Sequence, residues 1–323
     1  MMDRNALRQA VVRRLRIFAV LCCAGLLLPW LARGLARTEL DSLWWVTDLA
    51  AHWQALYASA LAASVLALVW LNRNVRWLAL LPVLALPWLS ASPTLPTANG
   101  TSDRTIKIIA ANLHFGNDDP AKLRMLMDAE AADLVFLAEI GPGAAKALAV
   151  WPAWPHQARL PRADPFGLAL VSKHPITGLK LEESPGGVPL LRATVDWQGT
   201  TLVVSVMHPM PPLSAAFARE RDQVLANEAA QHAQHGRPAL MAGDFNASPW
   251  SDAFSGPARA GFRRASSAFP GTWPAGIHWL GIPIDHVLAS PHWVLAERRV
   301  GPDIGSDHRP VFTRLSWAEK PRQ

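Results

Sequence analysis

The sequence is almost free of cysteine: of its 323 residues only Cys22 and Cys23 carry a thiol, and both lie in the first apolar segment. The chain after residue 95 therefore has no disulfide and no thiolate metal site. Two phosphate-binding patterns are also missing, because neither a Walker loop nor a dinucleotide-binding glycine fingerprint occurs. The lack of cysteine leaves the cellular compartment open, since it suits any redox environment.

Net charge is lacking in the larger part of the chain. Residues 1–95 contain nine Arg and Lys against four Asp and Glu, whereas the remainder contains 22 against 21. The high isoelectric point thus belongs to the first segment. A nearly neutral second segment does not carry the overall basic charge of a nucleic-acid-binding domain, although a local basic patch remains open.

Charged residues are absent from three apolar runs near the start of the chain: Ile17–Ala32, Trp53–Leu71 and Trp77–Ala91. A helix needs roughly 17–25 residues to cross a bilayer, so the second run fits well, the first is adequate and the proline-containing third is short. Tryptophans cluster near the ends of the runs, as they do at membrane interfaces. We predict a transmembrane anchor of about three helices over residues 1–95, rather than the buried bundle of a soluble protein.

The charges beside these runs predict an orientation. Five arginines precede the first run and indicate a cytoplasmic N-terminus. Three spans would then place the rest of the chain on the extracytoplasmic side of the cytoplasmic membrane, with the lipid bilayer as a partner and no obligate protein partner evident. Residues 92–103 are rich in Pro, Thr and Ser. We predict a linker at 96–103, a globular domain at 104–317 and a tail at 318–323.

Polar side chains stand at the ends of short apolar runs in the globular domain. They are Asp244 and Asn246 after Pro238–Ala242, Asp285 after Ile282–Ile284, and Asp307 and His308 before Val311-Phe312. Such runs, bounded by Gly and Pro, are typical of buried strands. Because a side chain at the tip of a buried strand is held rigidly, this set of acids, an amide and an imidazole suggests a divalent-metal hydrolase.

Strands outnumber helices in this part of the sequence. The periodicity predicts helices near residues 118–131 and 214–234 and strands near 105–110, 133–137, 167–171, 190–197, 201–207, 238–242, 283–289 and 309–315. Hairpin-like neighbours are mixed with helical crossovers. This order favours a layered α/β fold with more than one sheet over a simple doubly wound sheet.

The polar residues at the strand ends resemble the motifs of the endonuclease/exonuclease/phosphatase superfamily, which includes DNase I-like nucleases. The matching residues, in family order, are Asn112, Glu139, His208, Asp244 and Asn246 in Gly-Asp-Phe-Asn, Asp285 in Ile-Asp-His, and Asp307 and His308 in Gly-Ser-Asp-His-Arg-Pro. The resemblance covers roughly residues 104–317. It implies a four-layer sandwich of two face-to-face β-sheets flanked by helices, and hydrolysis of a phosphate ester with Mg²⁺ or Mn²⁺.

The resemblance implies that Glu139 and Asn112 bind the metal ion, with Asp307 as a further ligand or its neighbour. It implies that Asp244 orients or deprotonates the attacking water and that Asn246 binds phosphate or holds that water. The chemistry is consistent with these roles, because an anionic ester repels a hydroxide nucleophile. A hard cation with oxygen ligands offsets that charge.

Two histidines are implied at the scissile phosphate: His308, with Asp285 as its orienting carboxylate, and His208. Such a carboxylate raises the basicity of the imidazole and fixes its ring. Weaker candidates for substrate contact are Ser172, Thr272, Trp273 and Arg309.

Two departures from the family pattern concern the edge of the site. Ala138 stands where the family usually has glutamine before the metal-binding glutamate, and the loop after His208 is unusually apolar. Neither removes a central polar group, so we expect a membrane-tethered phosphoesterase acting on a nucleic acid, a phospholipid head group or a small phosphate ester. The alternative is a membrane receptor or scaffold that kept the fold without turnover.

Overall fold

The computed structural model describes residues 4–97 and 104–318. Most of the predicted linker, and all but the first residue of the predicted tail, lie outside these described residues. By its internal contacts the chain divides into two compact units. The first unit extends to Ala91 and includes Trp250–Asp252, and the second holds the remaining residues.

The first unit is helical. It comprises α1 (Arg4–Leu35), α2 (Asp41–Ala51), α3 (Gln54–Asn72), a 3₁₀ helix (Val75–Ala85) and α4 (Leu86–Ser90). Two of these helices, α1 and α3, are long and apolar enough to cross a membrane. The third predicted span is a 3₁₀ helix continued by a short α-helix, and it contains Pro82 and Pro87, which lack the N–H donors of a regular α-helix.

At each end of the first unit, an arginine of α1 donates a hydrogen bond to the end of another helix. The Arg8 Nε donates to the carbonyl oxygen of Leu71 at 3.0 Å, so the start of α1 lies beside the end of α3. The guanidinium of Arg33 donates to the carbonyl oxygen of Ser90, so the end of α1 lies beside the end of α4. The chain therefore leaves the last helix of this unit at the end opposite Arg4.

The second unit contains two six-stranded sheets. Its strands are β1 (Thr105–Asn112), β2 (Leu134–Ala138), β3 (His156–Leu160), β4 (Leu168–Ser172), β5 (Ile176–Glu183), β6 (Pro189–Trp197), β7 (Thr200–Met207), β8 (Ala239–Asp244), β9 (Arg263–Arg264), β10 (Asp285–Ala289), β11 (Trp293–Val300) and β12 (Val311–Trp317). The strand orders are β11-β12-β1-β2-β4-β3 and β5-β6-β7-β8-β10-β9. Each sheet is mixed: β1 and β2 are parallel in one, β7 and β8 in the other, and the remaining pairs are antiparallel.

The helices of the second unit cover the outer faces of the two sheets. They are α5 (Ala121–Glu130), α6 (Pro142–Leu148), α7 (Ala215–His235) and α8 (Ser255–Arg259). Strand β1 shows how the layers form: Ile106 and Ile108 point into the core between the sheets, whereas Ile109 points to the cluster that contains α5 and α6. Residues of α7 pack on the other sheet in the same way. The predicted four-layer sandwich is thus confirmed.

Candidate active site

The parallel strand pairs bring four polar side chains to one edge of the sandwich. Asn112 ends β1 and pairs in register with Ala138 of β2, so Glu139 follows at the same level. In the other sheet His208 follows β7, and Asp244 ends the parallel strand β8. Because the carboxyl ends of parallel strands meet at the same edge of a sheet, sequence-distant residues become neighbours.

The antiparallel strands add two more groups at this edge. Asp285 begins β10 and lies directly opposite Asp244 in the register of β8 and β10. His308 stands three residues before β12, which pairs with β1. The six side chains of Asn112, Glu139, His208, Asp244, Asp285 and His308 form what we call the edge cluster, and of these only Glu139 is more than marginally exposed.

Two carboxylates and an imidazole converge in the first half of the edge cluster. The His208 Nε2 lies 3.5 Å from Asp244 Oδ2 and 3.8 Å from Glu139 Oε1. The ligand atoms of the three side chains all lie within 4.8 Å of one another, which is close enough for one metal ion. The carboxylates supply the oxygen ligands that suit a hard divalent cation, so the donor set fits Mg²⁺ or Mn²⁺.

Asn112 bridges the two carboxylates through its amide nitrogen. The Nδ2 donates to Glu139 Oε1 at 2.8 Å and to Asp244 Oδ2 at 3.1 Å. Its Oδ1 accepts from the backbone N–H of His114 at 2.8 Å. The amide oxygen that the sequence interpretation assigned to the metal is therefore occupied by a backbone donor, and the metal-binding role of Asn112 stays a prediction.

His308 and Asp285 form the second half of the edge cluster. The His308 Nδ1 lies 2.9 Å from Asp285 Oδ2, and its Nε2 lies 3.7 Å from Asp244 Oδ2. Burial alone would lower the pKa of His308, but the carboxylates of Asp285 and Asp244 outweigh it and raise the pKa to about 10. His308 is thus an imidazolium at neutral pH.

Asn246 is fixed two residues beyond Asp244. Its N–H donates to Asp244 Oδ1 at 2.9 Å, and its Nδ2 donates to the carbonyl oxygen of Pro209 at 3.1 Å. The fully buried Arg221 of α7 donates to the Asn246 carbonyl oxygen at 2.7 Å. Arg221 is a supporting residue that the sequence interpretation missed, because a helical arginine carries no local signal for such a contact.

Backbone strain is concentrated around these residues. Glu139, Asn246 and His114 have φ angles of 57°, 49° and 64°, in the left-handed region that non-glycine residues rarely adopt. Gly243 has a φ of 143°, and a Cβ atom there would lie 2.0 Å from the Met207 carbonyl oxygen. Strained conformations of this kind persist where the surrounding structure determines them, and they cluster at functional sites.

Asp307 lies apart from the groups that could share a metal ion in the described residues. Its Oδ1 is 3.0 Å from the Nδ1 of His114, and its Oδ2 accepts from the Nε1 of Trp273 at 3.2 Å. The side chains of Asp307 and His114 are about half exposed. Arg309, also predicted as a substrate contact, donates from Nε to the carbonyl oxygen of Ala275.

Ser172 and Thr272 are fully buried. The Ser172 hydroxyl donates to the carbonyl oxygen of His174 and accepts from its N–H, as in a structural turn. The Thr272 hydroxyl accepts from the N–H groups of Ile284 at 3.0 Å and Asp285 at 3.2 Å. Both hydroxyls satisfy backbone groups, and the substrate contacts of Ser172 and Thr272 stay predictions.

Comparison with known proteins identifies relatives of the second unit. The profile of the Endonuclease/Exonuclease/phosphatase family matches residues 109–308. A search of curated protein sequences found no significant match.

Solved structures with the same fold include three from different sources. One is an endonuclease/exonuclease/phosphatase from Beutenbergia cavernae, with 23% identity, a TM-score of 0.53 and coverage of 67% of this chain and 72% of that one. A humanized TDP2 from D. rerio has 18% identity, a TM-score of 0.56 and coverage of 66% and 99%. A mannosyl-6-phosphatase from Bacteroides thetaiotaomicron has 15% identity, a TM-score of 0.54 and coverage of 66% and 100%. At these identities the likeness establishes the fold.

Proposed function

The chain belongs to the Endonuclease/Exonuclease/phosphatase family, and on that premise we propose that it is a membrane-tethered phosphoesterase that depends on Mg²⁺ or Mn²⁺. The observation that carries the proposal is the edge cluster itself, in which carboxylates and imidazoles from both sheets meet around one point. A binding protein without turnover gains nothing from such a buried and strained arrangement.

The residues that would hold the cation are Glu139 and Asp244, with His208 as a third possible ligand. When bound, a divalent cation supplies charge neutralisation and Lewis-acid polarisation of a phosphoryl oxygen. The amide of Asn112 keeps the two carboxylates apart at a fixed distance through its two donated hydrogen bonds. Repulsion between the carboxylates is thereby reduced before the cation binds.

Each remaining group has a role that follows from its contacts. Asp244 has one oxygen held by the Asn246 N–H and is the candidate base that takes a proton from the attacking water. His308 is charged at neutral pH because its pKa is raised to about 10, so it acts as a donor to the phosphoryl group and not as a base. Asp285 fixes its ring orientation.

The membrane-tethered part of the proposal comes from the first unit. Eleven residues in a 3₁₀ helix at about 2.0 Å rise and five in an α-helix at about 1.5 Å give roughly 30 Å, the thickness of a hydrocarbon core. The contact of Arg33 with Ser90 supports a third crossing that ends opposite the N-terminus. We propose a multi-pass anchor in the cytoplasmic membrane with the phosphoesterase on the extracytoplasmic side.

A substrate panel tests the activity. Wild type and Asp244→Asn would be assayed with Mg²⁺, Mn²⁺ and a chelator on nucleic acids, phospholipids and small phosphate esters. We expect metal-dependent cleavage of one class by the wild type and a loss of roughly 10²–10⁴-fold in the variant, the scale of a lost general base. The matched control is Asp128→Asn, which removes an exposed carboxylate on α5.

The panel also separates the enzyme from a receptor or scaffold. Cleavage that is equal in wild type and Asp244→Asn would reject the assigned base. A purified wild-type protein that is inert on every ester class with every metal would reject the enzyme and favour the scaffold.

A further inference from the structure

The first unit contains a cavity of about 510 Å³ at the end where the chain begins. One wall is a face of α1 that carries Arg8, Arg13 and Arg16, and Asn72 at the end of α3 contributes to the lining. None of the described residues that line this cavity is acidic. We call it the arginine cavity.

The arginine cavity concentrates positive charge without a matching carboxylate from the described part of the chain. Arg8 is anchored on the carbonyl oxygen of Leu71, and the Arg16 guanidinium lies 5.4 Å from the centre of the Trp77 ring. Both contacts hold a cation in place without neutralising it. Like charges that line one cavity repel one another, so an anion entering the cavity is stabilised by all three guanidinium groups.

An independent observation concerns Asn72. Its Nδ2 is shielded from solvent and has no hydrogen-bond acceptor among the described residues. A buried donor without an acceptor is unfavourable by about 1–3 kcal/mol, so a rotation of the Asn72 side chain toward an acceptor bound in the cavity would be favourable. An acceptor with several oxygens, such as a phosphate group, would satisfy both this donor and the guanidinium groups.

The face of α1 that carries the arginines continues as an exposed apolar stripe. Val20 lies four residues beyond Arg16, and Leu27 and Leu31 follow seven and eleven residues later, so all lie on one side of the helix. Their exposed fractions are 66%, 53% and 53%. An apolar surface directly above a cationic cavity matches the two ends of a phospholipid.

We propose that the arginine cavity binds the phosphate of an anionic phospholipid in the leaflet that faces the N-terminus, with its acyl chains along Val20, Leu27 and Leu31. This inference rests on the membrane anchor in the proposed function and is independent of the phosphoesterase activity. Lipid bound there would fix α1 against α3 at the membrane surface, because the cavity is lined by residues of both helices.

The test uses the full chain in detergent, with native mass spectrometry as the readout. Phosphatidylglycerol and phosphatidylcholine would be titrated against wild type and against Arg8→Gln/Arg13→Gln/Arg16→Gln. We expect the wild type to retain phosphatidylglycerol selectively and the triple variant to bind it at least roughly tenfold more weakly. The matched control, Arg4→Gln/Arg73→Gln/Arg76→Gln, removes the same charge outside the cavity and should change affinity less than about twofold.

Three further measurements keep the proposal falsifiable. Arg13→Gln alone and Asn72→Ala are milder changes that should each weaken phosphatidylglycerol binding several-fold, even if the triple variant fails to fold. If the two triple variants lost affinity for phosphatidylglycerol equally, the binding would depend on general surface charge, and the proposed site would be wrong. If inorganic phosphate displaced phosphatidylglycerol when the two were present at equal concentrations, the assignment of a lipid as the ligand would be wrong.

Failure of the anchor is distinguishable from failure of the site. Release of the wild-type chain from membranes by alkaline carbonate would reject the anchor in the proposed function. A wild-type chain that inserts into membranes and has phosphoesterase turnover, but binds phosphatidylglycerol and phosphatidylcholine equally well, would reject the arginine cavity alone.

Discussion

Two buried polar clusters in the second unit differ in how their charges are balanced. The edge cluster lies at the ends of the strands, and the second cluster lies under α7 on the outer face of a sheet. In this α7 cluster, Arg192 donates from Nε to Glu228 at 2.9 Å and from Nη1 to Glu182 at 3.1 Å. Ser205 and His232 add hydrogen bonds to the same Glu228 carboxylate.

Among the residues that the structure describes, no such guanidinium contact is made to the acids of the edge cluster. Glu139, Asp244 and Asp285 receive their hydrogen bonds and ion contacts from an amide, two imidazoles and backbone N–H groups. In the α7 cluster, the carboxylates are therefore neutralised by side chains of the protein itself. The edge cluster retains negative charge that a bound cation can neutralise. The difference separates a polar cluster that stabilises the fold from the one that we propose as the active site.

The largest expected effect is on turnover. Asp244→Asn should reduce kcat by roughly 10²–10⁴-fold and leave the free energy of unfolding unchanged or higher, because it removes a carboxylate close to Glu139 and Asp285. Kinetics and urea unfolding of the same preparation measure both quantities. A variant that loses stability as well would place Asp244 with the structural residues and remove the contrast between the clusters.

Glu228→Gln should show the opposite pattern, with turnover retained and stability reduced by about 3 kcal/mol at pH 7. Burial favours a raised pKa for Glu228, but hydrogen bonds from His232 and Arg192 outweigh it and lower the pKa to about 2. The ionised carboxylate therefore stabilises the fold above about pH 4.5, and this contribution is lost as the pH falls toward 2.

Urea unfolding of wild type and Glu228→Gln at several pH values tests this sign. The difference in the free energy of unfolding between wild type and Glu228→Gln should be largest at pH 7 and should decrease steadily below about pH 4.5. The exposed Glu183→Gln is the matched control and should track the wild type throughout. A difference that grows in acid would contradict the depressed pKa.

Metal ions should act on one cluster only. At a concentration of 100 times Kd, Mg²⁺ or Mn²⁺ should stabilise the wild type by about 2.7 kcal/mol. The metal should therefore raise the Tm of the wild type. Glu139→Gln should abolish this increase, whereas Glu228→Gln should have a lower Tm without metal and show the same metal-induced increase as the wild type. If the metal still raised the Tm of Glu139→Gln, the metal site would lie outside the edge cluster.

The smallest expected effect concerns the support of Asp285. Thr272→Val leaves the N–H groups of Ile284 and Asp285 without their acceptor, at a cost of about 1–3 kcal/mol in stability. Turnover should fall by less than tenfold, since the His308 contact with Asp285 remains. Thr272→Ser should restore both stability and turnover, and equal defects in the two variants would show that packing, not the hydroxyl, matters.

The fold was predictable where the apolar pattern is local. Buried strands such as β2 and β8 have uninterrupted apolar runs, and the polar residues at their ends, Glu139 and Asp244, stand out in the sequence. The edge strand β5 was missed, because it is half exposed and carries Lys180 and Glu182 among its apolar residues. Edge strands give weak periodicity, so their recognition needs the rest of the sheet.

The orientations within the candidate site were not predictable from the sequence. Asn112 turns its amide nitrogen toward the carboxylates because the left-handed turn at His114 presents an N–H to its oxygen. The hydroxyl of Thr272 is consumed by two backbone groups that approach from another segment. Sequence patterns can place a residue at a strand end, but they do not specify which of its atoms faces the centre.

The pairing of β12 with β1 joins the last strand of the second unit to its first. Asn112 is fixed by the strand that is synthesised earliest, and His308 arrives only with the segment that precedes the final strand. During translation the parallel neighbour β2 follows β1 directly, whereas the antiparallel neighbour β12 begins at Val311, nearly two hundred residues after Asn112. A nascent or truncated chain that ends before His308 therefore leaves one edge of β1 unpaired and lacks one imidazole of the edge cluster.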